Sequence, residues 1–250
     1  AGIDLLLKIL QESPEPVEIL SFGSARPVAV AFNIEPDLLR RKVSCVRLCA
    51  GGFPAGYLEW NVQLDVHAFV RLLRSDLPVA LYPCATEKDP WELGEYNTAW
   101  SMPEFSIIRK VSPPLQRYLA YALTRSTRSD FLRAVEDPIE EKLLEELAHR
   151  KHYVWESDVW MHAAGRKLVR RADGTHRILP GDAVRQGDRV IQNDLHPCRI
   201  TVDDAGSFSM ELTEEVSAFR IFRRPDPKAH QAALMEALPE LYASFRTAMS

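Results

Sequence analysis

Apolar residues at Ile3, Leu6, Leu7 and Leu10 recur at helical spacing, which predicts a first helix over Ile3 to Gln11, closed by Pro14 and Pro16. The run Val17 to Phe22 then reads as a strand, and Gly23 to Pro27 as a turn. A second helical stretch, Val28 to Lys42, is interrupted near Glu35-Pro36 and leads into Val43 to Cys49, a buried strand by its apolar content. A helix from Val66 to Arg74 and a strand from Val79 to Tyr82 complete a series of short apolar strands separated by helices. Such a series predicts a Rossmann-like α/β fold: a mostly parallel, doubly wound sheet with helices on both faces.

Farther along, Thr86 to Val111 is irregular and aromatic, with Trp91, Tyr96, Trp100 and Phe105, and reads either as a packed covering loop or as a wall for a planar ligand. Helices are predicted at Pro113 to Thr124 and Ile139 to Arg150, the second with Leu143, Leu144 and Leu147 on its apolar side. Beyond Arg166 the pattern shifts to short runs at Ile178-Leu179, Val190 to Gln192, Ile200 to Val202, Phe208 to Leu212 and Val216 to Phe222, separated by Gly-containing turns. These read as extra C-terminal strands, antiparallel or peripheral, that finish the sheet and its edge. A last helix, Pro227 to Met249, carries Ala233, Leu234, Ala237, Leu238 and Leu241, with a bend or break expected at Pro239. The organisation is that of a single domain over residues 1–250.

Candidate chemistry concentrates after the second strand, in Gly51-Gly52-Phe53-Pro54-Ala55-Gly56 and the following Glu59-Trp60-Asn61. On an extended backbone Glu59 and Asn61 face the same side. A carboxylate that accepts and an amide that both donates and accepts suit neighbouring hydroxyls, as on a sugar. Asp65 is placed to cap the helix from Val66. In open α/β sheets ligands collect beyond the carboxyl ends of the strands, where this loop falls. A second candidate is Asp158, at the head of the helix pattern Val159 to Ala164, where the helix dipole favours a carboxylate with or without a ligand.

Charge narrows the function classes. With 31 Lys and Arg against 35 Asp and Glu the formal net charge is −4, and no basic stripe suits a phosphate backbone, so nucleic acid is excluded as an expected partner. The longest apolar runs fall far short of the ~20 residues of a membrane helix, so no membrane association is expected. The four cysteines have neither zinc nor disulfide spacing and read as reduced structural thiols, in line with a cytoplasmic setting. Ala1 leads straight into the first helix, and an earlier segment is expected to precede it.

The order of these pieces resembles the nucleoside hydrolase family, the inosine- and uridine-preferring ribohydrolases. The family's P-E-P-V strand, Gly-Gly strand exit, Glu-Phe-Asn loop and capping Asp are matched by Pro14-Glu15-Pro16-Val17, Ala50-Gly51-Gly52, Glu59-Trp60-Asn61 and Asp65, and Asp158 looks like its late metal-binding aspartate. The resemblance implies hydrolysis of the N-glycosidic bond of a small-molecule ribonucleoside by a water bound to Ca²⁺. It further implies that Glu59 and Asn61 hold ribose hydroxyls, and that Asp158 and the backbone carbonyl of Arg26 are metal ligands. The family's opening strand and Asp-rich loop, which carry the general base and most metal ligands, have no counterpart in the chain. Ser157 stands where purine- and pyrimidine-preferring members have the His that protonates the leaving base, Phe53 replaces an Asn of the ribose loop, and His162 lies one turn beyond Asp158. Two other readings are a non-catalytic ribose- or nucleoside-binding domain and a homo-oligomer assembled through the apolar faces of the final helices.

Overall fold

The computed structural model describes residues 2–124, 130, 133 and 135–244. Its helices are α1 (Gly2–Glu12), α2 (Arg26–Ile34), α3 (Pro36–Lys42), α4 (Trp60–Gln63), α5 (Val66–Leu73), α6 (Pro113–Leu123), α7 (Glu141–Ala148), α8 (Ser157–Ala163) and α9 (Pro227–Ser244). The strands are β1 (Val17–Ser21), β2 (Val43–Cys49), β3 (Val79–Tyr82), β4 (Trp100–Met102), β5 (His152–Val154), β6 (Arg166–Arg170), β7 (His176–Pro180), β8 (Arg189–Val190), β9 (Asp194–Val202), β10 (Phe208–Leu212) and β11 (Phe219–Arg223). The chain, expected as one domain, divides into two compact units: residues 1–100, 154–163 and 192–228, and residues 101–153, 164–191 and 229–250.

The first unit is built on a six-stranded sheet in the order β1-β2-β3-β11-β9-β10. The first four strands are parallel and the last two pair antiparallel, which bears out the α/β expectation. Its parallel order follows from the helical crossovers: α2 and α3 carry the chain from β1 to β2, and α4 and α5 carry it from β2 to β3. The break between α2 and α3 is set by Pro36, which opens the second helix and cannot continue the first.

Alternation along β3 sends Val79 and Leu81 to one core and Ala80 and Tyr82 to another. On the first face they meet Leu10 of α1, Phe32 of α2, Leu39 of α3 and Phe69 and Leu72 of α5. On the second, Tyr82 and Phe222 meet Val159 of α8. Each large side chain withdrawn from water on these faces stabilises the unit by about 1.5–3 kcal/mol.

Two expectations about the late strands are corrected. β11, read as peripheral, lies inside the sheet, with Phe219 opposite Val79 on one side and Cys198 on the other. Ile221 and Phe222 supply the reason, since both are fully buried and a strand apolar on both faces belongs in the interior. The runs at Ile178-Leu179 and Val190 do not extend this sheet. They pair with the unforeseen β6 in a separate antiparallel sheet of order β7-β6-β8, in the second unit.

Within the second unit, Arg109 donates to Glu141 at 2.9 Å and also bonds Glu145, joining the turn at Ser106–Arg109 to α7. His176 and Arg177 of β7 hold Glu236 and Glu240 of α9 at 2.6 and 2.8 Å. α9 continues through Pro239 without the expected break, and its continuation over 245–249 lies outside the described residues. Ala233, Leu234, Ala237 and Leu238 are buried within the chain, as expected of a packing face. Among the described residues no helix is long and apolar enough to cross a membrane.

Candidate active site

The exits of β2 and β3 are laced together. Gly51 O accepts from Cys84 N at 2.8 Å, and Phe53 N donates to Ala85 O at 3.1 Å. Gly51 has φ +94°, and a Cβ added there would lie 2.9 Å from the Phe208 ring, so glycine is required on both counts.

Glu59 and Asn61 sit on this exit in a geometry that differs from the expected extended pair. Glu59 is extended, but it caps the one-turn helix α4, and Asn61 lies within that turn. The two side chains are nevertheless brought together by the end of β2. Glu59 Oε2 accepts from Gly51 N and Oε1 from Asn61 N, both at 3.0 Å, while Asn61 Nδ2 donates to Cys49 O at 2.9 Å. The pair therefore grips the backbone from Cys49 to Gly51 first. Each carboxylate oxygen has lone-pair capacity beyond one N–H bond, which a hydroxyl could use. Glu59 lines a cleft of about 180 Å³ with Gly52, Tyr57, Leu58, Val62 and Gly206.

Glu59 is only 4% exposed, and burial raises its carboxyl pKa against the backbone N–H groups that favour its charge. The charge of Glu156 raises it further, and Glu156 is itself pushed up by burial. Glu156 is the acidic neighbour that sequence reasoning passed over. Its signal was present, two residues before Asp158 at the start of the same helix. The thiols of Cys49 and Cys84, raised chiefly by burial, belong to the same neighbourhood and are free, as the sequence reading expected.

Asp65 caps α5 as expected, accepting from Ala68 N at 3.1 Å, and Arg26 Nε reaches its other oxygen at 2.5 Å. Arg26 is the first residue of α2, where a carbonyl points along the helix axis. Its side chain is thus joined to the capping Asp65.

Asp158 is fully buried in the first turn of α8. Asn193 Nδ2 donates to its Oδ1 at 2.7 Å. Ser157 beside it accepts from Trp100 Nε1 at 3.1 Å. Asp158 also acts on Arg224, a fully buried guanidinium whose pKa falls to about 10 through burial while the charge of Asp158 opposes the fall. Arg224 is otherwise spent on the strand-to-loop segment, donating to Gly94 O, Asn97 Oδ1 and Ala99 O. Neither Asn193 nor Arg224 was foreseen, because only the folded sheet brings them to Asp158. Glu156 links the two candidate regions, adjoining Asp158 in sequence and Glu59 in charge.

A calcium ion takes 6 to 8 oxygen ligands in typical sites. Among the described residues no group of three or more His, Cys, Asp and Glu is arranged to hold a metal. Asp158 already serves Asn193 and faces an internal cation, so the residues present do not by themselves fit a calcium centre.

No family model matches the chain. Over 84 residues it is 32% identical to the pyrimidine-specific ribonucleoside hydrolase RihA of Citrobacter koseri and 30% identical to that of Enterobacter sp. strain 638. Each match takes in 32% of this chain but only 27% and 26% of those relatives. Two solved structures, an inosine-uridine preferring nucleoside hydrolase from Bacillus anthracis and a purine-preferring ribonucleoside hydrolase from Gardnerella vaginalis, align over 97% of this chain and 65% and 66% of theirs, with TM-scores of 0.41 and 0.44 at 12% and 11% identity. The sequence likeness bears out the resemblance to nucleoside hydrolases.

Proposed function

We propose that this nucleoside hydrolase-like chain takes part in hydrolysis of the N-glycosidic bond of a ribonucleoside, with Glu59 and Asn61 at the ribose. The observation that carries the reading is the place of Glu59, buried at the carboxyl end of β2 against a cleft, in a chain with sequence likeness to ribonucleoside hydrolases. In the reaction water oxygen bonds to the anomeric carbon, the carbon–nitrogen bond breaks, and the departing base nitrogen gains a proton. Glu59 would accept a ribose hydroxyl and, as the positive charge grows on the sugar ring, stabilise it electrostatically. Its tie to Gly51 and Asn61 holds the acceptor in place before substrate arrives, so little reorganisation accompanies binding. The resemblance implies Ca²⁺ with Asp158 and the Arg26 carbonyl as ligands. The donors among the described residues do not complete such a site.

The test is release of reducing sugar from uridine, cytidine and inosine by the purified protein, in calcium and in chelator. Glu59→Gln is expected to lower the rate by about 100-fold, the scale of losing one positioned acceptor in a dry site. Absence of release from all three nucleosides in both media overturns the hydrolase reading. A second reading is a ribose- or nucleoside-binding domain without catalysis, which would need only the cleft beside Glu59 and Asn61. Heat of binding for uridine or ribose, unaltered by calcium and without turnover, would support that reading instead.

A further inference from the structure

The six-stranded sheet of the first unit carries a second hollow, at the amino end of its parallel strands, whereas Glu59 lies past the carboxyl end of β2. It measures about 220 Å³ and is lined by Cys45 and Arg47 of β2, Ala80 of β3, Leu195 of β9, Ala218 just before β11 and Arg220 within it.

The register of the sheet makes this hollow. Ala80 is paired with Arg47 on one side and with Arg220 on the other, so a methyl group sits between two long side chains of one row. Neighbouring strands lie about 4.8 Å apart, which puts the backbones of the two arginines about 10 Å from each other with only Ala80 between them. Toward the amino end, Cys45, Pro78 and Ala218 keep the middle equally shallow.

Charge is unequal across the hollow. On one wall Glu18 accepts from Nε and Nη2 of Arg47, both at 3.0 Å, and the Tyr82 hydroxyl accepts from Arg47 Nη1 at 2.9 Å. That guanidinium is held in place and balanced by Glu18, yet two of its five N–H bonds are still unspent. On the other wall Arg220 is exposed, and among the described residues no carboxylate pairs with it. The floor registers both cations. Burial raises the pKa of the half-buried Cys45 thiol; the charge of Arg47 opposes the rise, that of Glu18 adds less to it, and that of Arg220 opposes it again.

We infer that this hollow is a binding site for a small anion bearing a carboxylate or phosphate group, seated over Ala80 between Arg47 and Arg220. The fork of a guanidinium matches either group, and a concave seat lets the ion pair form with less water between the charges than on an open surface. The site is independent of the chemistry proposed at Glu59.

The probes are inorganic phosphate and acetate, each titrated at constant ionic strength set with chloride. The readouts are the Nε–H resonances of Arg47 and Arg220 and the rate at which uncharged iodoacetamide alkylates Cys45, the other three thiols being buried. Saturable movement of both resonances with slower alkylation supports the site. Saturation by phosphate alone assigns a phosphate ligand, and by acetate alone a carboxylate. Arg220→Gln is expected to weaken binding by about 10- to 100-fold, the scale of a hydrogen bond to a charged group. Ala80→Leu keeps both arginines but fills the hollow, and should abolish saturation. Should Ala80→Leu fail to fold, Ala218→Leu fills the same space from an exposed position. A response linear in anion concentration, or binding unchanged in Arg220→Gln or in the variant that fills the hollow, would overturn the proposal.

Discussion

Glu59 and Asp158 are both carboxylates withdrawn from water, but they are held by different kinds of partner. Glu59 is fixed by two backbone N–H groups of its own neighbourhood, Gly51 and Asn61. Asp158 is fixed by side chains that arrive from far along the chain, Asn193 by a bond and Arg224 by charge. The difference separates two ways of sustaining a buried carboxylate. At Glu59 the support is local, and side-chain changes elsewhere leave it standing. At Asp158 it is supplied by the assembled fold and fails when a distant side chain is cut.

The largest effect should come from Arg224→Met. It removes the guanidinium that donates to Asn97 Oδ1 and to the carbonyls of Gly94 and Ala99 and leaves Asp158 without its internal cation, and removal of one partner from a buried charged network costs about 3–5 kcal/mol. Urea unfolding measures it, and adding Asp158→Asn should recover part of the loss. If the double variant is no better than the single one, Arg224 does not support Asp158 and the contrast with Glu59 breaks. Next is Gly51→Ala, expected to cost about 1–3 kcal/mol through the left-handed φ and the crowded Phe208 ring. Only a backbone change of this kind should disturb Glu59 strongly, and its carboxyl should then titrate higher as the Gly51 N–H moves away.

Asp65 combines both supports, one oxygen on Ala68 N and the other on Arg26. Asp65→Ala should cost about 1 kcal/mol at neutral pH, as for other helix caps. The bond from Arg26 lowers the folded pKa of Asp65, so its contribution is present above the unfolded value of about 3.9 and is lost as pH falls through the lower folded value. The stability gap between the protein and Asp65→Ala should therefore close in acid, and a gap of constant size would remove the charge from the explanation. The smallest effect belongs to Glu156→Gln. The folded pKa of Glu59 is raised, so its contribution is complete below the unfolded glutamate value and declines as pH rises through the folded one. Removing the Glu156 charge should move the Glu59 titration downward and soften that decline, as followed by carboxyl-carbon resonances.

What the sequence revealed follows the same division between local and distant support. β2 falls at Val43–Cys49 as its apolar run predicts, the helix break falls at Pro36, and Asp65 caps its helix, because each is decided by residues within a few positions. α4 was hidden by its length: four residues give no periodicity, so Glu59 and Asn61 read as extended. β6, Arg-Lys-Leu-Val-Arg, is flanked by charges and has only Leu168 and Val169 buried, too little alternation to announce a strand. Arg224 and Asn193 carry no local mark at all. A buried arginine is visible only when the carbonyls of Gly94 and Ala99 have been folded against it.

The place of β11 bears on how the molecule is made. Its partner β3 leaves the ribosome well over a hundred residues earlier, and Val79 faces Phe219 only once that later stretch has emerged. Until then the open flank of β3 must wait unpaired, an edge able to recruit a strand from another nascent chain. The protein should therefore depend on slow release or chaperone shelter during synthesis, and truncation before Phe219 should yield aggregates.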